Sequence, residues 1–403
     1  MAKKLSSVLG VDIGSQTIKI AEVKLQGGRP TVTALGIAQT PEGAVDHIGI
    51  HDYDSVSAVL KQLCGSAGAS VGDVVISVAG QGSVLVRTLE VPSMSEAELK
   101  QHMDWEITRN IPFAESTVVS DYKAFPPTPG NPQNMDVVMA IAPQSAVDSL
   151  ISLVKKSGRK PAAIDVEPLG MARTVATAYS SELAGKSVCV VDIGHKTTAI
   201  NVYKDGKLLM PRQVPIGGEM MTKAIADNLG VSFDEAEHIK SEVVVPTGPA
   251  AAAGAAFNPF DTAATQTFTP YNPFAEPEEA LGTPEAAPDE SAAPVPVAAP
   301  VDGGSDRGYG AMAGVMDEFV AEVRRSVDYF RSKGGEVDML LVCGGGAKMK
   351  GLVSFLETAI GLPAQLMDPL KGITVSAKKT DSFRDEDRQE FAVALGNGLH
   401  ICF

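Results

Sequence analysis

The chain has one tryptophan in 403 residues, and aromatic side chains make up only 5% of it. Its four cysteines, Cys64, Cys189, Cys343 and Cys402, share no metal-binding spacing. Cys189 and Cys343 sit inside apolar runs, where cysteine acts as a small hydrophobe. Neither a disulfide framework nor a zinc site is expected, and the chain reads as reduced and cytoplasmic. No apolar run approaches the roughly 20 residues of a membrane helix, so no direct membrane insertion is expected. The opening "MAKKLSSVLGV" has two lysines before an apolar stretch, but serines interrupt that stretch and it reaches Asp12 too soon for a signal peptide. Basic residues are also in deficit, 34 against 49 acids, for a net charge of −15. This argues against nucleic acid as a partner, because phosphate-backbone binding needs clustered Lys and Arg.

What is present is a repeat. "GVDIGSQTIKIAEVKLQGG" begins at residue 10 and "VVDIGHKTTAINVYKDGKL" at residue 190. Each runs apolar strand, Asp-x-Gly, a short polar turn and a second strand. The distance between them is far too long for a solenoid period and indicates two copies of one α/β architecture. The length accommodates two domains, each with its own core.

Between the copies the texture changes. "VSAVLKQLCGSAG" reads as a helix ending at glycine and "DVVISVAG" as a buried strand. In "LEVPSMSEAELKQHMDWEITRNIPF", Ser95 and Glu98 form a capping box, and Leu99, Met103 and Ile107 mark a buried stripe on the helix that follows. Trp105 points roughly 200° from that stripe. It is therefore either covered by a neighbouring subdomain or left as an interface anchor, a role in which Trp is enriched. From Pro246 to Gly308 the sequence falls into Ala and Pro with scattered acids and one basic residue, Arg307. Such a segment buries too little apolar surface to offset its ordering entropy, so disorder is expected there. It contains a near repeat, "FNPFDTAA" and "YNPFAEPEE", whose Phe260 and Phe274 are either partner anchors on Asn-Pro turns or part of a passive linker. Helical period returns at Val315, Met316, Phe319, Val320, Val323, Val327 and Phe330.

A glycine at the bend of a strand–turn–strand lets backbone N–H groups point into an anion. Ser15, Gln16, Thr17 and Lys19 surround the first turn, and Lys196, Thr197 and Thr198 the second. Each turn is entered through an aspartate, and Mg²⁺ suits one or two such carboxylates plus phosphate oxygens. A third glycine element, "VCGGGAKMKG", follows a buried strand and precedes a helix, as a nucleotide-contacting turn requires, although a plain tight turn has the same pattern.

"DIGSQTIK", "DVEPLGMA", "DIGHKTT", "IGGEMMTKAI", "EAEHIK" and "VCGGGAKMKG" occur in the order typical of the actin-like ATPase superfamily, which the chain resembles. Within it, the chain is most similar to the PilM family of type IV pilus assembly. The resemblance implies an α/β, duplicated ribonuclease H-like fold, two halves around a cleft for ATP and Mg²⁺. It places subdomain 1A at 1–84, a small 1C-type insert at 85–160, a return to 1A at 161–185 and the first part of domain 2 at 186–245. The Ala/Pro/acidic insert at 246–308 departs from the family pattern. The rest of domain 2 falls at 309–380, and a C-terminal helix packing on 1A at 381–403.

By the same resemblance, Asp12, Gly14, Ser15, Gln16, Thr17 and Lys19 form the first phosphate motif. Asp192, Gly194, His195, Lys196, Thr197 and Thr198 form the second, with Asp12 and Asp192 toward the metal. Glu167 falls where the superfamily orients the attacking water or the metal. Gly217, Gly218 and Glu219 match the glycine pair near the ribose, Glu237 and Lys240 the helix pair holding ribose and adenine, and Gly344, Gly345, Gly346 and Ala347 the adenine-side turn. The implied partner is the cytoplasmic tail of an inner-membrane PilN-like protein, bound near 1C and Trp105. That would hold the chain peripherally at the inner membrane; pilus assembly ATPases and self-association are further candidates. The alternatives are an FtsA-like division protein and a slow ATPase or small-molecule kinase. FtsA-like chains end in an amphipathic membrane helix, whereas this sequence stops at "GLHICF", and kinases carry substrate loops in larger insertions.

Overall fold

The computed structural model describes residues 5–78, 80, 82–113, 117–127, 132–246, 305–377, 379 and 383–403. The first Asp-Ile-Gly run folds as an antiparallel hairpin of β1 (Ser7–Ile13) and β2 (Thr17–Gln26), in a register that sets Asp12 opposite Lys19. β3 (Arg29–Gln39) extends the hairpin, and β4 (Asp73–Val78) and β8 (Lys160–Val166) add in parallel on the other side of β1. With β15 (Thr374–Val375) at the far edge, the sheet order is β15-β3-β2-β1-β4-β8.

The strands are apolar on both sides, so both faces must be covered. α1 (Tyr53–Ser66) and α3 (Gln144–Lys156) cover one, burying Leu60, Leu63, Leu150 and Leu153 in a common core. α4 (Glu167–Ala178) and α9 (Ala392–Gly398) lie on the other side, where Phe391, Leu395 and Leu399 are buried against Val8, Val23 and Leu35. The approach of α9 to the sheet is close. A Cβ on Gly10 would fall 2.0 Å from the Ala394 carbonyl oxygen, so only glycine fits at that point of β1.

The second lobe repeats the plan. β9 (Ser187–Ile193) and β10 (Thr198–Lys204) form the second hairpin, with β11 (Lys207–Met210) and β12 (Gln213–Val214) along β10. β13 (Met339–Cys343) and β14 (Ala364–Leu366) add in parallel, giving the order β11-β10-β9-β13-β14. Its core gathers α5 (Gly218–Leu229), α6 (Phe233–Glu242), α7 (Ser305–Ser332) and α8 (Leu352–Ile360) around Ile225, Met316, Phe319, Val323 and Phe355.

A third unit is inserted after β4. β5 (Leu85–Pro92), β6 (Val118–Ala124) and β7 (Asn134–Pro143) form a sheet of order β5-β7-β6. α2 (Glu96–Arg109) packs Leu99 and Met103 onto Val137, Met139 and Ile141. The Ser95–Glu98 capping box is present, both bonds made, as the sequence pattern requires.

Three boundaries differ from the sequence expectation. The insert ends with β7 rather than at 160, because the apolar stripe of α3 is buried in the first lobe's core. The second lobe ends before 380, since Leu370 and Ile373 pack with the first lobe and β15 pairs with β3. α7 starts at Ser305, inside the expected 246–308 insert; Gly308 lies so close to α6 that a Cβ there would be 2.7 Å from Val243 Cγ2. Residues 247–304 of that insert, with Phe260 and Phe274, lie outside the described residues.

Candidate functional site

The two hairpin turns close in the same way. Gly14 N–H donates to the Thr17 carbonyl at 3.0 Å, and Gly194 N–H to the Thr197 carbonyl at 2.9 Å. Both turns face one cavity of about 120 Å³ between the lobes, walled by Asp12, Gly14, Ser15, Gln16, Thr17 and Lys19 from the first and Asp192, Gly194, His195, Lys196 and Thr197 from the second. Glu167, the first residue of α4, and the glycine turn after β13 complete its wall. A larger cavity of about 520 Å³ adjoins it, lined by Gly218, Met221, Glu237, Lys240, Gly346, Lys348 and Met349.

The two halves differ in charge. Lys19 Nζ lies 2.9 Å from Asp12 Oδ2 and 3.3 Å from the Thr17 carbonyl. Burial opposes the charge on Lys19, but Asp12 and Glu390 hold its pKa above the ordinary lysine value. In the second hairpin Asp192 faces Ala199, and no cation occupies the matching rung. Burial and the Asp12 carboxylate push Asp192 up to about 6, Lys19 offsetting only part. Burial, with Asp12 and Asp192 beside it, pushes Glu167 up to about 8. Asp12, Asp192 and Glu167 therefore crowd one another with Lys19 as the lysine set against all three, an excess of negative charge that a bound cation would relieve. Among the described residues no group of three or more His, Cys, Asp or Glu forms a ready metal cage. The donor set suits a cation held by one or two carboxylates and by a ligand's own oxygens.

Lys240 is fixed by the Thr222 hydroxyl at 2.7 Å, Glu237 at 2.8 Å and the Gly218 carbonyl at 3.2 Å. Burial works against ionisation of Glu237, yet Lys240 and Thr222 hold its pKa below the usual carboxylate range. Gly344 has φ +83°, and a Cβ there would fall 2.4 Å from Asp192 Oδ1. Its glycine lets the third turn lie directly against the second hairpin.

Four residues assigned by sequence line neither cavity. Thr198 is fully buried, its hydroxyl donating to the Ile216 carbonyl at 2.7 Å; as the first residue of β10 it points into the core. Gly217 backs onto the second turn, where a Cβ would meet the His195 carbonyl oxygen at 2.4 Å. Glu219 is taken by Lys196 at 2.7 Å, with His195 Nε2 at 3.6 Å. Burial, reinforced by Lys240 and Lys196, pushes the His195 pKa below the ordinary histidine value, Glu219 opposing. Ala347 is buried inside the turn that carries it.

Sequence reasoning missed Glu390. It accepts the Thr17 hydroxyl at 3.0 Å and lies 2.5 Å from Lys348 Nζ, in the wall of both cavities. Nothing in "DEDRQEF" distinguishes it from neighbouring acids.

On α2 of the inserted unit, Trp105 lines neither cavity and is 54% exposed, with the Arg109 guanidinium 4.7 Å from its ring centroid. Of the two alternatives for this side chain, the described residues leave it uncovered.

Comparison with known proteins gives a consistent picture. The model of the family described as type IV pilus assembly protein PilM matches residues 10–269, and that of cell division protein FtsA matches residues 189–396. The solved PilM-PilN type IV pilus biogenesis complex superposes with a TM-score of 0.75 at 24% identity, covering 100% of both chains. The ethanolamine utilization protein EutJ of Carboxydothermus hydrogenoformans gives a TM-score of 0.51 at 14% identity, covering 98% of this chain and 91% of that one. FtsA of Neisseria meningitidis is 34% identical over 96 residues, 24% of this chain and 22% of that protein. FtsA of Escherichia coli K12 is 24% identical over 258 residues, 58% of this chain and 59% of that protein. The chain thus spans less than two thirds of these curated relatives. The architecture, two lobes of duplicated topology around a cleft, is the actin-like ATPase fold.

Proposed function

Since the chain belongs to the PilM family of type IV pilus assembly proteins, we propose that it is an ATP-binding scaffold of pilus assembly whose bound nucleotide sets the relation of its two lobes. The observation that carries this is the pair of hairpin turns, Gly14 to Thr17 and Gly194 to Thr197, closed by matching hydrogen bonds and facing one cavity. Backbone N–H groups on both sides suit a polyphosphate, and the larger cavity beside Lys240 and Met349 suits the nucleoside. Mg²⁺ would be held by Asp12 or Asp192 together with phosphate oxygens, supplying positive charge between buried carboxylates and the ligand. Glu167 keeps its proton near neutral pH by burial, so it is poised to exchange a proton with a water at the phosphate end. The nucleotide acts by favouring one conformation rather than by rapid turnover.

The partner is the cytoplasmic tail of an inner-membrane PilN-like protein, which would hold the scaffold at the membrane. The shared fold with the PilM-PilN complex and the exposed Trp105 on the inserted subdomain support it. Among the described residues no helix is long and apolar enough to cross a membrane, so attachment through a partner fits. The PilM model covers the inserted subdomain, whereas the FtsA match begins beyond it, which favours the pilus role over a division role.

Calorimetric titration of Mg-ATP tests the nucleotide reading. Asp12→Ala and Asp192→Ala should each weaken binding at least about tenfold, while the exposed-surface change Ser6→Ala should not. Unchanged binding in both aspartate variants contradicts it.

A further inference from the structure

Glu390 is a carboxylate placed where a phosphate site should have none. With Gln16, Thr17, Gly194, His195 and Gly345 it forms the ring of residues common to the two cavities. A ligand lying in both cavities must pass this ring. The Thr17 hydroxyl donates to Glu390 Oε2 at 3.0 Å, and Lys348 Nζ lies 2.5 Å from Oε1. A Cβ on Gly345 would come within 3.7 Å of the Glu390 carboxyl carbon, so the third glycine turn also abuts it. Its side chain is only 8% exposed. A hydroxyl from the first turn and an ammonium are the donors that a phosphate oxygen would seek there.

The same contacts join the lobes. Glu390 comes from the C-terminal segment packed on the first lobe, and Lys348 follows the glycine turn of the second. Beside them Lys348 meets Asp387 at 2.5 Å, and Gly344 N–H donates to the Gln389 carbonyl at 3.0 Å. Asp387 lines only the larger cavity, so it keeps Lys348 anchored whatever Glu390 does.

We propose that Glu390 is a built-in competitor of the nucleotide's phosphates. Its carboxylate holds the Thr17 hydroxyl and Lys348 until a phosphate group takes them, and phosphate entry thereby breaks the Thr17–Glu390–Lys348 bridge between the lobes. Resting on the nucleotide reading above, this adds to it a mechanism by which occupancy of the phosphate turns is transmitted to the lobe interface. The opposition is electrostatic as well as geometric. Asp12, Asp192 and Glu167 already crowd the cavity, and a further carboxylate at its neck repels a polyanion at short range.

Calorimetry on the full chain tests it, with Mg-ATP and with inorganic tripolyphosphate as probes. Glu390→Gln keeps the size and can still accept the Thr17 hydroxyl but removes the charge. It should tighten both probes about tenfold, and Glu390→Ala should move them in the same direction. A merely structural role would not raise affinity. If the unaltered chain binds Mg-ATP and neither variant binds it more tightly, the competitor role is wrong and the nucleotide reading stands. Weaker binding in Glu390→Gln also overturns it, making Glu390 a helper of the bound cation. If neither the unaltered chain nor the variants bind either probe, both readings fall.

Discussion

Lys19 stands opposite Asp12 in the first hairpin with its ammonium 2.9 Å from the carboxylate, and the equivalent rung of the second hairpin pairs Asp192 with Ala199. The duplicated turns are therefore unequal: one carries its own countercharge, and the other leaves a half-buried aspartate whose charge Lys19 offsets only in part.

Removing that countercharge should be costly. Lys19→Met leaves Asp12 buried without its partner, and stability should fall by about 3 kcal/mol. Adding Asp12→Asn to the same chain should recover much of the loss, because the stranded charge is then gone. Thermal melts of the single and double variants check this; additive losses would show that the pair does not act together.

Stability should depend on pH through Glu167 and Asp192. Both hold protons more tightly folded than unfolded, Glu167 at about 8 against 4.5 and Asp192 at about 6 against 3.8. Between those limits the folded chain binds more protons than the unfolded one, so stability is highest on the acid side and declines as pH rises toward 8. Glu167→Gln should remove the upper part of that decline, raising stability by about 1–2 kcal/mol at pH 8 and changing it little near pH 5. Melts across this range measure it, and a decline identical in the variant and the unaltered chain would contradict it.

Thr198 separates a core role from a phosphate role. Thr198→Val removes the hydroxyl bonded to the Ile216 carbonyl and should cost about 1–2 kcal/mol of stability. Mg-ATP affinity should stay within about twofold, because the side chain lines neither cavity. A large loss of affinity with normal stability would restore the phosphate assignment.

Trp105 gives a fluorescence test with no interfering signal, being the only tryptophan. Trp105→Ala should change stability by less than about 1 kcal/mol, since the ring is largely exposed and loses mainly its Arg109 and His102 contacts. A peptide of the PilN-like cytoplasmic tail should shift or quench the emission and bind the variant more weakly. Binding that is indifferent to this residue would remove it from the interface.

Local patterns carried much of this structure. The hairpins were legible because apolar strands flank Asp-x-Gly, and α2 because Ser95 and Glu98 cap it and Leu99 and Met103 recur at helical spacing. What the sequence concealed is long-range. The Thr17–Glu390 bond joins residues 373 positions apart, and no local pattern singles out one acid in an acidic segment. Thr198 and Thr197 look interchangeable in "HKTT", but strand alternation turns one into the core and leaves the other on the cavity. α3 reads as a continuation of the insert because its amphipathic stripe does not say which sheet it covers.

The most direct measurement is a crystal structure of the full chain with a non-hydrolysable ATP analogue and Mn²⁺, read with anomalous scattering. The triphosphate should lie between the Gly14 and Gly194 turns with the base in the cavity beside Lys240, the metal next to Asp12 or Asp192, and Glu390 withdrawn from Thr17. Density for the analogue elsewhere, or Glu390 still bonded to Thr17 and Lys348 at saturating analogue and Mn²⁺, would contradict the account.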